Sequence, residues 1–433
     1  MKTLLDDAWE KLVDKYNIIE RINTDGYFLI TSSMIKEFRE PRLMTKFDHS
    51  GNLPDIFKKQ KLSIVPIKRN QYLISHHSMF HRFSKSTAKL FKFNMPLHIE
   101  SIDSMNITSE SIALNTTYLT GMLEDFTGDT DIFPTVSGRM SSKSFSYFIN
   151  NQKTKTNDSV VVDNSQIEID GAYEGKKYLT IVEAKKTINN DFVIRQLYYP
   201  FRLWADKITK PIKLIFMLHS NSIFSLYEFK FADKNNYNSL KLVKEKHYSL
   251  EEIIINRKDI DELVEKIKIV KEPSLPFPQA NSVSRIINIC EILEDKVLTN
   301  IEIQEEYEFD KRQVNYYTDA AMYLNLVEKT EIEKAISFVL TETGKMMINL
   351  PYVKRQLFLA ERILEHKVFL DCYLMSVEFK RALKIHEIVN VMLLNELHGL
   401  GKEISENGLI SSTYPRRAST IRKWLEWIDQ IVQ

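Results

Sequence analysis

Two carboxylates and one lysine, Asp170, Glu183 and Lys185, have the types and spacing that phosphodiester chemistry requires. They lie in the run QIEIDGAYEGKKYLTIVEAKK, which predicts two β-strands joined by a turn that contains Gly171 and Gly175. Because side chains alternate along a strand, Glu183 and Lys185 share one face. If the two strands pair, the acids and the amine converge at the end of a small sheet.

These residue types favour the hydrolysis of a phosphodiester bond. Clustered carboxylates suit Mg²⁺, a hard cation that takes oxygen ligands and keeps several waters. A nearby lysine can orient or deprotonate the attacking water and stabilise charge on a phosphate. Glu168 shares the face of Asp170 and is either a further metal ligand or a solvated acid. The alternative for the whole set is an exposed hairpin with ordinary salt bridges.

Further candidates lie before and after these strands. In RQLYYPFR, a role for Gln196 in holding a phosphate or the catalytic lysine is favoured over ordinary packing of an amphipathic helix, whereas Tyr199, one helical turn later, is predicted to pack. Glu124 lies on a preceding helix, where a solvent-facing position is favoured over a metal ligand. In GRMSS, Arg139 and Ser141 either approach a DNA backbone or belong to an ordinary surface turn.

The composition sets broad limits on the class of protein. The net charge of +1 indicates no partner by itself, but residues 36–69 contain nine Lys or Arg against four Asp or Glu. Arg42 and Lys46 in this stretch are candidates for contacts with a nucleic-acid backbone. Cys290 and Cys372, both in apolar helical contexts, predict neither a disulfide nor a zinc site. With no signal segment and no membrane-length apolar run, we expect a cytoplasmic protein without a membrane partner.

The chain is predicted to divide into five parts. They are an N-terminal winged-helix-like clamping domain (1–95), a catalytic block (96–271), a Pro-rich linker (272–281), a winged-helix domain (282–350) and a C-terminal helical region (351–433).

The catalytic block is predicted to have an α/β (α+β) core with a mixed central sheet. A helix near residues 118–126 precedes three strands, of which the first is the second half of VSGRMSSKSFSYFIN. A helix over about 190–207 follows, capped by Asn190 or Asp191 and kinked or ended early by Pro200. Two further strands complete the order that indicates a mixed sheet.

The region after the linker is predicted to be strongly helical. A helix over residues 282–293 and a helix–turn–helix precede a hairpin, and Asp310 is placed to cap the third helix. Two basic helix starts carry residue types that contact phosphates and base edges. The candidate DNA-binding residues there are Lys311, Arg312, Gln313, Asn315, Tyr316, Arg416, Arg417, Ser419, Thr420 and Arg422. Each helix taken alone could equally be a solvated face.

The catalytic block resembles the PD-(D/E)xK nuclease superfamily. Asp170 matches the first acid of that motif, and Glu183 with Lys185 matches its second half. Ile169 stands where the superfamily's proline would be. The segment RQLYYPFR, with Gln196, resembles the Gln-x-x-Tyr element of some branches.

Other segments resemble a group of type II restriction endonucleases. These are REPRLMTKFD, GRMSS, QIEIDGAYEG and RRASTIRKWLEWI. The resemblance implies a Mg²⁺-dependent double-strand cut in DNA at a short site, in bacteria that protect their own DNA with a cognate methyltransferase. A homodimer would suit a palindromic site, although one chain could cut twice. The alternatives are a repair or recombination nuclease that recognises DNA structure, and a non-catalytic DNA-binding regulator on a nuclease scaffold.

Overall fold

The computed structural model describes residues 3–84, 88–104, 106–306, 311–332, 335–395, 397, 400 and 412–432. The chain forms two compact units. The first comprises Met1–His219 and Ile223–Tyr248, and the second comprises Ser220–Ser222 and Ser249–Gln433. Among the described helices, none combines the length and the apolar character that a membrane crossing requires.

The N-terminal part of the first unit has its own hydrophobic core, formed by Trp9, Leu12, Ile30, Phe57 and Ile74 among others. The predicted first helix and the two predicted strands are confirmed, and β1, β3 and β2 form an antiparallel sheet in that order. The elements are α1 (Leu4–Tyr16), α2 (Ile18–Asp25), β1 (Phe28–Thr31), α3 (Ser32–Lys36), α4 (Pro41–Thr45), a 3₁₀ turn (Ser50–Asn52), α5 (Asp55–Gln60), β2 (Ser63–Lys68) and β3 (Gln71–Ser75).

The rest of the first unit is built around a seven-stranded sheet in the order β5-β14-β13-β12-β10-β9-β6. Its sheet is mixed, as predicted, because β10 pairs parallel with β12 and antiparallel with β9. The elements are β4 (Phe80–Arg82), β5 (Leu90–Lys92), α6 (Glu110–Leu119), α7 (Met122–Thr127), β6 (Phe133–Ser141), β7 (Ser144–Asn150), β8 (Asn157–Asp163), β9 (Gln166–Glu174), β10 (Leu179–Lys185), β11 (Asp191–Val193), α8 (Arg195–Ala205), β12 (Ile212–Ser220), β13 (Ile223–Phe231), a 3₁₀ turn (Tyr237–Ser239) and β14 (Leu240–Ser249).

The first strand beside the central pair differs from the predicted one. The segment FSYFIN forms β7, which pairs with β8 in a separate two-stranded sheet, and the preceding VSGRMS belongs to β6, which pairs with β9. Most β6 side chains are exposed, so its sequence lacks the apolar alternation that indicates a strand. Gly138 lies there at an irregularity of the ladder with φ +88°, a conformation that glycine adopts without steric cost.

The helix that follows β10 and β11 begins later than predicted. α8 starts at Arg195 with Ile194 as its N-cap, so the prediction of Asn190 or Asp191 as the cap is wrong. Asp191 instead accepts hydrogen bonds from the backbone N–H and the hydroxyl of Ser50, at 2.8 and 2.5 Å. Pro200 does not end the helix, which continues to Ala205. The Asp191 carboxylate, which the local sequence predicts to cap the helix, therefore binds a residue that is distant in the sequence.

The turn between β9 and β10 requires glycine at position 175. A Cβ atom there would lie 2.4 Å from Asp129 Oδ2. That carboxylate accepts hydrogen bonds from the backbone N–H groups of Lys177 and Tyr178. Because Asp129 cannot move without losing these bonds, we expect Gly175→Ala to lower the free energy of unfolding by about 2 kcal/mol. Urea unfolding measures this, with Lys176→Ala, an exposed change in the same turn, as the control that should have little effect.

The second unit has an α-helical core with one small sheet in the order β15-β17-β16. The predicted helix after residue 282, the helix pair and the hairpin are confirmed; Asp310 lies outside the described residues. The elements are α9 (Arg257–Lys266), α10 (Val283–Ile292), β15 (Leu298–Thr299), α11 (Asn300–Glu306), α12 (Lys311–Tyr323), β16 (Val327–Ile332), β17 (Ala335–Leu340), α13 (Glu342–Ile348), α14 (Tyr352–Leu364), α15 (Lys367–Phe379), α16 (Ile385–Leu393) and α17 (Thr413–Ile431).

The segment 272–281, predicted as a linker, packs within the second unit. Phe277 and Ala280 are buried in its core, and the indole N–H of Trp424 donates to the carbonyl of Ala280 at 2.7 Å. Both cysteines of this unit are free and buried, and burial raises the pKa of the Cys372 thiol to about 12. Such thiols are poor nucleophiles and poor metal ligands at neutral pH.

Candidate active site

The strands β9 and β10 form the antiparallel pair that the sequence predicts. Their register runs from Leu179 opposite Glu174 to Val182 opposite Gly171, so the next residue of each strand is an acid, Glu183 or Asp170. Along β9 burial alternates as expected, with the isoleucines inside and the polar residues outside or at the boundary. The hairpin therefore places the two acids of the motif at neighbouring positions.

Glu183 is the centre of the contacts in the site. Lys185 Nζ lies 3.0 Å from Glu183 Oε1, and Gln196 Nε2 donates to the same oxygen at 2.5 Å. Asp170 is fixed separately, because its Oδ2 accepts a hydrogen bond of 2.9 Å from the backbone N–H of Ala184. The structure thus brings Glu183, Lys185 and Gln196 into direct contact and holds Asp170 beside them.

The carboxyl of Glu183 has an unusual protonation equilibrium. Its pKa is raised to about 8, mainly by burial, since only 7% of the residue is exposed, and in smaller part by the nearby charges of Asp170 and Asp48. Lys185 lowers the pKa of Glu183, but this effect is smaller than the increase caused by burial. Strongly perturbed carboxyls of this kind are typical of functional sites, although buried structural pairs show them as well.

Helix α8 is a firmly packed support for Gln196. Tyr199 is fully buried, as predicted, and its hydroxyl donates to the carbonyl of Pro66 at 2.9 Å. Arg202, on the same helix, is also buried and donates to the carbonyl of Ser146 at 2.7 Å. Because both side chains are fixed by backbone acceptors outside the helix, the position of the Gln196 amide is set by the core.

Two acids that the sequence did not single out lie close to the site. Asp48 is 2% exposed, and its Oδ2 lies 3.7 Å from Lys185 Nζ and 3.4 Å from Lys46 Nζ. Glu110, in the first turn of α6, is within electrostatic range of Lys185 and Asp170, and burial raises its pKa. An acid at a helix start is a common capping feature, so local sequence gave no reason to prefer Glu110.

The remaining candidates from the same block lie at the surface. Glu168 is exposed, and its Oε1 lies 3.3 Å from Nε of Arg139, which is also exposed. The hydroxyl of Ser141 donates to the side-chain carbonyl of Asn164 at 3.0 Å. Glu124 is exposed on α7, in agreement with the favoured solvent-facing position. Glu168 therefore contacts a surface arginine and not the Glu183–Lys185 pair.

The acids of the site offer oxygen ligands without forming a complete metal cluster. Over the part of the chain that the structure describes, no group of three or more His, Cys, Asp or Glu side chains could hold a metal ion by itself. Asp170 and Glu183 still match the ligand type of Mg²⁺, which commonly uses one or two carboxylates together with water and substrate phosphates. The donor chemistry of these two residues therefore fits Mg²⁺.

Arg42 and Lys46, the two N-terminal candidates for contact with a nucleic-acid backbone, differ in their surroundings. Arg42 is exposed on α4. Lys46 is also exposed, but it forms the ion pair with Asp48 and thus borders the site. Of these two residues, only Lys46 borders the cluster of Asp48, Glu183 and Lys185.

In the second unit, the candidates on α12 are partly engaged with neighbouring side chains. Gln313 Oε1 accepts a hydrogen bond of 2.7 Å from Arg285, and Asn315 Oδ1 accepts one of 3.0 Å from Asn300. Tyr316 is exposed. The side chains of Lys311 and Arg312 lie outside the described residues.

Helix α17 exposes some of its candidate DNA-binding residues and buries one of them, Thr420. Arg416 is exposed, and Arg422 is half-buried beside Glu426. Thr420 is fully buried and donates to Asn281 Oδ1 at 2.9 Å, so its hydroxyl is engaged within the second unit. Ser419 is half-buried.

The start of α17 lies within electrostatic range of the middle of α12. Arg417 interacts electrostatically with Tyr316 and Asp319 of α12. Arg417 of the second basic helix start is therefore close to Tyr316, one of the candidates on α12.

Comparison with known proteins divides the chain into three consecutive matches. Residues 6–74, 75–249 and 285–433 match three family models, each described as a domain of unknown function, DUF6996, DUF6997 and DUF7226 respectively. No curated protein and no solved structure matches the chain. The strands β9 and β10 and the helix α8 all fall within the second match, whereas Asp48 falls within the first.

Proposed function

We propose that this protein is a type II restriction endonuclease, which makes Mg²⁺-dependent double-strand cuts in DNA at a short specific sequence. The observation that carries the proposal is the contact of Lys185 with a buried Glu183, beside Asp170, at the end of a paired β-hairpin. The PD-(D/E)xK reading of the sequence requires this juxtaposition. An exposed hairpin with ordinary salt bridges would leave Glu183 in solvent.

The chain's own residues have separate roles in this proposal. Asp170 and Glu183 would hold Mg²⁺, which when bound stabilises charge on the phosphate and lowers the pKa of a bound water. Lys185 directs its ammonium toward the attacking water or the scissile phosphate. Gln196 keeps Glu183 in place through its amide. Hydrolysis by this route leaves a 5′-phosphate and a 3′-hydroxyl.

The order of elements supports a nuclease core. α6 precedes β6, β9 and β10, which are neighbours in the sheet, and α8 then leads to β12 parallel to β10. The order of helix, three strands, helix and strand agrees with the prediction, although the first of these strands is β6 and not the predicted FSYFIN. The acids and the lysine lie on the two strands at its centre.

The second unit supports a role in DNA recognition. Its α10, β15, α11, α12 and the β16–β17 hairpin follow one another as helix, strand, two helices and a hairpin, an order compatible with a winged helix. In a helix-turn-helix unit the second helix of the pair enters the major groove, which here is α12. Tyr316 of α12 and Arg416 of α17 are exposed.

We expect Arg416→Ala to weaken DNA binding several-fold on all sequences and to lower the slope of log affinity against log salt by about 1. The reason is that a phosphate contact contributes affinity without reading bases. Gel shifts at several salt concentrations measure both quantities. Lys258→Ala, an exposed lysine on α9 of the same unit, is the matched control. Equal losses for both variants would contradict a specific DNA-facing role for Arg416.

Digestion of unmethylated phage DNA in Mg²⁺ tests the proposed function. Discrete bands from the wild type, absent with Asp170→Ala, are the expected result. A smear or nicking, with preference for branched or mismatched DNA, would replace the proposal with a repair or recombination nuclease. A retained gel shift without any cleavage would indicate a DNA-binding regulator. The proposal includes a cytoplasmic bacterial setting, a cognate methyltransferase and a homodimer on palindromic sites.

A further inference from the structure

Asp48 reaches the site from a different part of the chain than the motif residues do. It follows α4 in the N-terminal part, and the neighbouring Met44 and Phe47 are buried in that part's own core. The indole N–H of Trp9 donates to the carbonyl of Met44 at 3.0 Å. The segment that carries Asp48 is therefore fixed on one side by the N-terminal core.

The same segment is fixed on its other side to the strand before α8. The backbone N–H of Val193 donates to the carbonyl of Asp48 at 2.7 Å. Ser50 donates twice to the carboxylate of Asp191, which is buried. Because β11 leads directly into the helix that carries Gln196, these bonds hold Asp48 and Gln196 in one rigid arrangement.

The Asp48 carboxylate shares the ammonium group of Lys185 with Glu183. Lys185 Nζ lies 3.0 Å from Glu183 and 3.7 Å from Asp48, and only 13% of the lysine side chain is exposed. A buried ammonium needs a compensating anion to stay charged and in position. When Glu183 serves as a metal ligand, less of its charge is available to the lysine, and Asp48 is the second buried anion beside it.

We propose that Asp48 is a positioning residue that holds the Lys185 ammonium in the active site, so that the N-terminal part completes the catalytic centre. This inference rests on the proposed nuclease function. It assigns the N-terminal part a role in catalysis in addition to clamping DNA. Asp48 acts through Lys185 and is not itself a metal ligand.

The test is a double-mutant cycle between Asp48→Asn and Lys185→Gln, read as the single-turnover rate of plasmid cleavage. We expect Asp48→Asn alone to lower the rate about 30-fold, and to have less than about a threefold effect when Lys185 is already Gln. Asp48→Glu should restore part of the rate. The Mg²⁺ concentration for half-maximal rate should stay unchanged in Asp48→Asn. Independent effects of the two changes, or a raised Mg²⁺ requirement, would overturn the positioning role.

Asp191→Asn is the matched control, because it weakens the attachment of the same segment but keeps the Asp48 carboxylate. We expect a lower melting temperature and a loss of rate of at most about threefold, far smaller than that of Asp48→Asn, because the Asp48 carboxylate and its backbone bond to Val193 remain. An equal loss of rate in Asp191→Asn and Asp48→Asn would show that Asp48 has only a structural role.

The cycle is also read by thermal unfolding, which needs no activity. We expect the change in melting temperature of the double variant to differ by more than about 2 °C from the sum of the changes in the two single variants, since the two side chains interact. Additive shifts in melting temperature would show that Asp48 and Lys185 do not interact, which would contradict the inference. A wild type that does not cleave DNA, together with non-additive shifts, would refute the nuclease function while leaving the contact intact, so the two failures are distinguishable.

Discussion

Replacement of Lys185 by alanine is expected to lower the rate of DNA cleavage by about a thousandfold or more while leaving DNA binding nearly unchanged. The reason is that the ammonium, placed 3.0 Å from Glu183, acts on the reacting water or phosphate and not on the recognition surface. Single-turnover cleavage at saturating Mg²⁺ gives the rate, and gel shifts in Ca²⁺ give the affinity.

Lys46→Ala is the matched control for this prediction. Lys46 also carries an ammonium near Asp48, at 3.4 Å, but its side chain is 55% exposed and does not contact Glu183. We expect a rate within about tenfold of the wild type, because an exposed ion pair contributes little. A Lys185→Ala enzyme that cleaves as fast as the Lys46→Ala enzyme would refute the assigned active site.

Glu183→Gln is expected to abolish cleavage and, in the absence of metal, to change how stability depends on pH. Burial raises the pKa of Glu183 from 4.5 to about 8 in the folded protein, whereas the unfolded chain keeps an ordinary value. Each unit of difference corresponds to about 1.4 kcal/mol. A glutamine of similar shape removes the cost of ionising this buried group.

The direction of the effect follows from proton binding. Between pH 4.5 and about 8, folded wild type keeps a proton on Glu183 that the unfolded chain has lost. The wild type therefore loses stability as the pH rises through this window, and below pH 4.5 the cost is absent. We expect the stability of Glu183→Gln relative to wild type to increase by about 4 kcal/mol from pH 5 to pH 9, because Glu183 is mostly ionised at pH 5 in the unfolded chain but only above about pH 8 in the folded protein.

Urea unfolding in EDTA at several pH values measures this difference. Glu168→Gln, an exposed acid on the neighbouring strand, is the control and should follow the wild type at every pH. Parallel curves for the wild type and Glu183→Gln would mean that Glu183 ionises like a solvated acid. In that case the site would lack the buried carboxyl on which the proposed chemistry depends.

Some features of the site were predictable because they depend on local periodicity. The alternation along β9 and the turn at Gly175 determine that Asp170 faces away from the isoleucines and that β9 and β10 pair. The spacing of two residues places Glu183 and Lys185 on one face whatever the strand packs against. Short-range patterns of this kind also gave the packing of Tyr199 on α8.

Other features depend on residues far apart in the chain, which no local pattern encodes. The local sequence predicts Asp191 as a helix cap, but Asp191 binds Ser50. It likewise predicts Thr420 as a phosphate contact, but Thr420 is buried against Asn281. β6 was not recognised as a strand because its exposed residues lack alternation, and its pairing with β9 decides its conformation. In each case a long-range partner outweighed the local preference.

Residue chemistry and the period of two along a strand are enough to predict the types, order and strand faces of Asp170, Glu183 and Lys185. The packing of distant segments, by contrast, buries Glu183 with a pKa of about 8 and brings Asp48 beside Lys185. Burial and the approach of a distant acid depend on how separate segments pack, and desolvation is a property of that packing.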